Sequence, residues 1–301
     1  MNTQHLLTAA AIALFFAGCS DASGPSGSGD LQLSLAANEA VRVGFPHTEN
    51  GQSLAFVDGW SVKIETFAVN IEQFELLEPS PEGEGPVAAS WEESTTVNIA
   101  GTTTGSAPLA TLAQVDEGRY DVRFRVAPPS ATSTSEDAAL LGVMRERGWS
   151  FVMRGTATPD GDHPEFSEPV SFDLGFPLEA EYYACVNGAD GTQGVVVAAN
   201  RQNEAYIYPH AVHLFWDTLG AGNEQLRFDA MARAATDGVV TMDALDQIDL
   251  TDPALADERG VPLYDDAGLL DTYTLGAFLR RAAAESLHFN GIGFCKKRFT
   301  R

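Results

Sequence analysis

The chain has 301 residues, 44% of them hydrophobic, which is enough for one large domain or two smaller ones around a substantial core. Its 42 Asp and Glu outweigh 18 Lys and Arg to give a net charge of −24, so a phosphate backbone is repelled and nucleic acid is excluded as a partner. The chain opens on an apolar run from Leu6 to Phe16. That run is too short to span a bilayer and has the length of a signal-peptide core, so residues 1–18 read as a removable leader.

The leader ends in "FAGC" (residues 16–19), which resembles the lipobox of bacterial lipoproteins, where small residues precede a cysteine that is acylated and becomes the mature N-terminus. The resemblance implies lipid on Cys19 and a membrane anchor in the cell envelope. Ser20 in place of aspartate implies sorting to the outer membrane, facing the periplasm or the cell surface. Phe16 stands where leucine is usual, and no Lys or Arg precedes the apolar run. Residues 19–30, with "SDASGPSGSGD", have the composition of a flexible tether. Once Cys19 is acylated, two cysteines remain, and in an oxidising compartment Cys185 and Cys295 can pair as a disulfide. A reactive thiol or a metal thiolate is the alternative.

Past the tether, "LQLSLA" (31–36) and "RVGF" (42–45) look like short strands. In residues 55–78 Val62 and Ile64 alternate with Lys63 and Glu65, then Val69 and Ile71 with Asn70 and Glu72, as in half-buried strands. "TTVNIA" (95–100) is another. The clearest signal is "DEGRYDVRFRV" (116–126), with Tyr120, Val122, Phe124 and Val126 on one face and Asp121, Arg123 and Arg125 on the other. A short helix is expected through Leu140 and Leu141. Strands resume at "WSFVMRGTAT" and "PVSFDLGF", while "AEYYACV" and "GVVVAAN", separated by the turn-rich "NGADGTQG", read as a hairpin. Many short strands without a βαβ alternation predict a mainly β fold, an antiparallel β-sandwich over residues 31–218.

From residue 219 the texture turns helical. Asn223 is a candidate cap before Leu226, Phe228 and Met231; "TMDALDQI" is a second short helix; residues 272–287 form a third, with Leu275, Phe278, Leu279 and Ala282 on one stripe. The expectation is a helical extension over 219–301, packed on the sandwich.

Four segments together, "FVDGWSVKIETFAVNIEQFEL", "PHAVHLFWDTL", "LRFDAMARAATDGVVTMDAL" and "HFNGIGFC", resemble a group of uncharacterised bacterial lipoproteins with an H-x-x-H-L-F segment, an aspartate-rich loop similar to an EF-hand and a cysteine terminus rich in glycine and histidine. More remotely, Gly118-Arg119-Tyr120, "GWSFVMRG" and "FDLGF" are similar in order to the periplasmic copper-binding protein of methanobactin operons, a β-sandwich. In the EF-hand-like loop, setting Gly238 sixth puts Arg233, Ala235, Asp237 and Ala244 at the first, third, fifth and twelfth positions. Calcium needs oxygen ligands there, so calcium is not expected. Phe294 stands where the group's second terminal histidine would be.

The motif with most chemical content is "YPHAVHLFWD" (208–217). His210 and His213 share a face if the chain turns tightly after Pro209 and oppose each other if the strand continues. Imidazoles suit copper or zinc, but two are too few; His288, near the cysteine that a disulfide would draw in, is the candidate third ligand and His47 a weaker fourth. The alternative is that His210 lines a strand end and His213 is a core residue beside Leu214 and Phe215. His163 in "PDGDHPE" reads as an exposed loop residue, and Trp60, Trp149 and Trp216 as core anchors. The sequence holds no G-x-S-x-G, no H-E-x-x-H and no G-x-x-x-x-G-K. A non-catalytic binding or structural role in the envelope is therefore expected, with copper or zinc binding as the alternative; a protein or glycan partner has no residue-level signal.

Overall fold

The computed structural model describes residues 27–300 apart from 50, 101, 103, 104, 162, 221 and 223. The leader, Cys19, most of the tether and Asn223 lie outside the described residues. The fold is mainly β. One sheet has four strands in the order Leu287–Phe289, Gln202–Pro209, Ser28–Ala36, Ser106–Asp116. The larger sheet is built on the long strand Trp60–Leu77, flanked by Phe151–Pro159 on one side and Gly118–Val126 on the other, and extended outward by Val170–Phe176 and Ala180–Tyr183. Both sheets feed one hydrophobic core: Leu31, Leu33 and Leu35 from the first, Phe124, Phe151 and Phe172 from the second.

The sandwich is not purely antiparallel. Ser28–Ala36 runs parallel to Gln202–Pro209, and Val170–Phe176 runs parallel to Val239–Thr241. The first strand also starts inside the stretch read as tether. Gly29 explains why: an added Cβ would sit 2.3 Å from the Ala198 carbonyl oxygen, so the glycine is there for close backbone approach rather than for flexibility. Asn203 secures the neighbouring backbone by donating to the Asp30 and Ala198 carbonyls.

Three local expectations are corrected. Residues 42–45 are not a strand: Asn38 caps a short helix, Glu39–Val43, accepting from the Val41 amide. "AEYYACV" and "GVVVAAN" do not form a hairpin with each other. Ala180–Tyr183 and Val195–Val197 instead pair end to end with the same strand, Gly118–Val126, joined through a residue at positive φ, Ala184. Asp121, assigned to the outer face of that strand, is buried, its carboxylate accepting from the Ser80 amide and the Gln193 side chain.

The C-terminal part is more than a helical extension. It holds the helices Asp229–Arg233, Met242–Leu245 and Leu275–Glu285, the last capped by Thr274 and burying the expected Leu275, Phe278, Leu279 and Ala282. It also gives strands to both sheets: Val239–Thr241 and Lys296–Phe299 to the larger, Leu287–Phe289 to the smaller. The EF-hand-like loop is a tight turn in which Asp237 and Gly238 both have positive φ and Thr236 and Val239 exchange backbone hydrogen bonds at 3.0 Å, placing Val239 directly in the sheet. Cys185 and Cys295 form a disulfide across 110 residues of chain. Among the described residues no helix is long and apolar enough to cross a membrane.

Candidate metal centre

Strand Gln202–Pro209 ends where proline can no longer donate to a ladder, and a 3-10 helix, Ala211–Phe215, follows at once. The tight turn brings His210 and His213 toward the same side. His288 arrives independently: it sits opposite Tyr208 in the antiparallel pairing of Leu287–Phe289 with Gln202–Pro209. The register is fixed at that end by the His210 amide donating to the Ser286 carbonyl at 2.8 Å. Three imidazoles from a strand end, a 3-10 turn and a second strand thus meet, with ring centres 4.7 Å apart for His210 and His288, 5.1 Å for His213 and His288, and 5.8 Å for His210 and His213.

These spacings match a shared ion. Imidazoles on one tetrahedral centre, with metal–nitrogen bonds of about 2.0–2.1 Å, place their ring centres about 5 Å apart. The rings are also inside the protein: His213 is 8% and His288 3% exposed. Both ring nitrogens of His288 are buried without a hydrogen bond. The carbonyls of Ile292 and Glu285 come near enough to favour its protonated form, but neither completes a bond. His210 Nε2 pairs with the Gly291 carbonyl at 3.1 Å, and His213 stacks on Trp216 with ring centres 3.9 Å apart. As the side chains stand, no group of three or more His, Cys, Asp or Glu among the described residues has the arrangement to hold a metal. To meet on one ion the rings would have to rotate and His210 would have to release Gly291; the imidazole torsion is soft.

Burial sets the protonation state. It lowers all three pKa values, His213 to about 2 and His288 to about 4, with His210 lowered as well. Repulsion among the rings and from Lys297 adds to the effect on His213 and His288. The histidines are therefore neutral, lone pairs available, at physiological pH. They border a cavity of about 490 Å³ whose other walls include Leu54, Val212, Trp216, Ile292 and Phe294. The terminal loop forming one wall is knitted to the disulfide: the Val186 amide donates to the Phe294 carbonyl and the Gly188 amide to the Phe289 carbonyl, joining the residues just before Cys295 to those just after Cys185.

His47 is not drawn into this cluster. It lies in a small hairpin, His47–Glu49 with Gln52–Leu54, its Nδ1 donating to the Gly44 carbonyl at 2.9 Å and its ring packed on Phe45. Glu49, from the same hairpin, does border the cavity, a carboxylate that sequence reasoning missed because a lone acidic residue among 42 carries no signal. His163 is corrected: its side chain is only 1% exposed, Nδ1 accepts from the Glu165 and Phe166 amides, and Nε2 donates to Asp229 Oδ1 at 3.0 Å. The same Asp229 oxygen accepts from Trp60 Nε1 at 2.8 Å, so His163 is a clamp on the core. Of the tryptophans, Trp60 is a buried anchor, whereas Trp216 is half-buried and walls the cavity.

No protein-family model, no curated protein and no solved structure matches the chain.

Proposed function

We propose that the protein is an envelope lipoprotein, anchored through acylated Cys19, whose non-catalytic role is to bind one copper or zinc ion at His210, His213 and His288. The observation that carries this reading is His288, a 97% buried imidazole with neither nitrogen paired, standing at ligand spacing from two other neutral imidazoles. A buried polar group without a partner costs about 1–3 kcal/mol, and such groups persist where a ligand satisfies them. Imidazole suits copper and zinc, and a neutral nitrogen set gives no oxygen-rich cage for calcium or magnesium. The Cys185–Cys295 disulfide supports an oxidising compartment, in keeping with the anchor.

The test is metal uptake by the chain produced with Cys19→Ser, so that it is soluble. The wild-type site is expected to take about one equivalent of zinc or copper with micromolar or tighter affinity, and His210→Ala/His213→Ala to take none while keeping its circular dichroism. A wild-type site that takes neither metal at micromolar concentration sinks the proposal.

A further inference from the structure

Three neutral imidazoles holding a divalent ion leave its full charge inside walls made by Leu54, Val212, Trp216 and Phe294. The cost of desolvating an ion scales with the square of its charge, so a single carboxylate that halves the net charge cuts that term about four-fold. Three carboxylates border the cavity: Glu49, Glu224 and Glu285. Two are engaged. Glu285 pairs with Lys297 and, at 2.7 Å, with Arg281, and Glu224 accepts from the Gly222 amide at 2.7 Å.

Glu49 is the carboxylate left over. Among the described residues its ion-pair partner is His47, whose Nε2 at 3.7 Å is too far for a hydrogen bond and is itself buried without a partner, while the Glu49 side chain is 34% exposed. Glu49 also borders, with His210, the groove adjoining the cavity. We infer that Glu49 is the fourth protein ligand, closing on an ion held by His210, His213 and His288 and setting a preference for a divalent over a monovalent metal. This rests on the three-histidine reading above. The two-stranded hairpin carrying it stands outside both large sheets, with His47 packed on Phe45 and Leu54 against the core, so the strand that bears Glu49 is held at the rim of the cavity.

Zinc and Cu(I) are titrated separately into the wild-type chain, Glu49→Gln, His47→Gln and His210→Ala/His213→Ala. Zinc affinity is expected to fall at least about 10-fold in Glu49→Gln, the scale on which metal-site support residues act, while Cu(I) affinity stays within about 3-fold. Unchanged zinc affinity in Glu49→Gln, with metal still lost in the double histidine variant, removes Glu49 and leaves the histidine site standing. Equal losses of both metals, matched by His47→Gln, show a hairpin-folding role and overturn the ligand assignment. A wild-type chain that takes Cu(I) but not zinc also overturns it, and one that takes neither overturns both readings.

Discussion

His288 and His213 make the protein sensitive to mild acid. In an unfolded chain each titrates near 6.5, whereas folded His288 is held to about 4 and His213 to about 2. Between those values the unfolded chain binds more protons than the folded one, so stability falls as pH drops below about 6.5 and keeps falling through pH 4. Thermal melts of the metal-free protein should show Tm dropping between pH 7 and 5, above the range in which free carboxylates titrate. His288→Phe should flatten that slope; an equally steep profile in the variant refutes the assignment. Asp229 allows a second test. Its Oδ1 serves both Trp60 and His163, and Asp229→Ala leaves two buried donors unpaired, so urea unfolding should show a loss of roughly 1–3 kcal/mol for each. For His210 and His213 the sequence left a shared face and opposed faces both open, with Pro209 favouring a break, and the 3-10 helix after Pro209 decides between them. The burial of His163 was not legible in the sequence, because its partners Trp60 and Asp229 are distant in the chain and nothing local in "PDGDHPE" marks them.

At the level of elements, periodicity found the segments whose two faces differ most. Tyr120, Val122, Phe124 and Val126 are all buried, and the stripe of the last helix faces inward as expected. Pairing was harder to read. The segments around Tyr182 and Val196 look like hairpin partners because turn residues separate them, yet Gly118–Val126 is long enough to take both in line. Composition also misled at Ser28, where glycines that permit close packing have the same letters as glycines in a linker. The disulfide belongs to this scale because it fastens the loop carrying Gly291 and Phe294 to residues 186–188. Replacing Cys185 and Cys295 by serine should cost about 2–5 kcal/mol in chemical denaturation. It should also weaken zinc binding without changing its stoichiometry, as read by calorimetric titration; undiminished affinity means the site is positioned without the bridge.

For the whole molecule, the acidic surface and the sandwich class follow from composition and strand count. The interweaving of the C-terminal part does not, since strands of three or four residues such as Val239–Thr241 and Leu287–Phe289 are too short to show a period. The proposed anchor is tested at this scale: Cys19→Ser should move the protein from the membrane fraction to the soluble envelope fraction and abolish incorporation of labelled palmitate, because two or more acyl chains supply the membrane affinity. Labelling that persists in the variant places the lipid elsewhere.

The strands at 287–289 and 296–299 lie at opposite sheets, and the first of them delivers His288. During synthesis the other two imidazoles emerge more than seventy residues earlier, so neither sheet has its full edge and the histidine triangle lacks a corner until the final segment threads into place. Long-range closure of this kind is slow. Assembly of the histidine-lined cavity thus coincides with completion of the fold, and on the proposed function a chain truncated before Leu287 should retain much of its sheet structure while holding no ion.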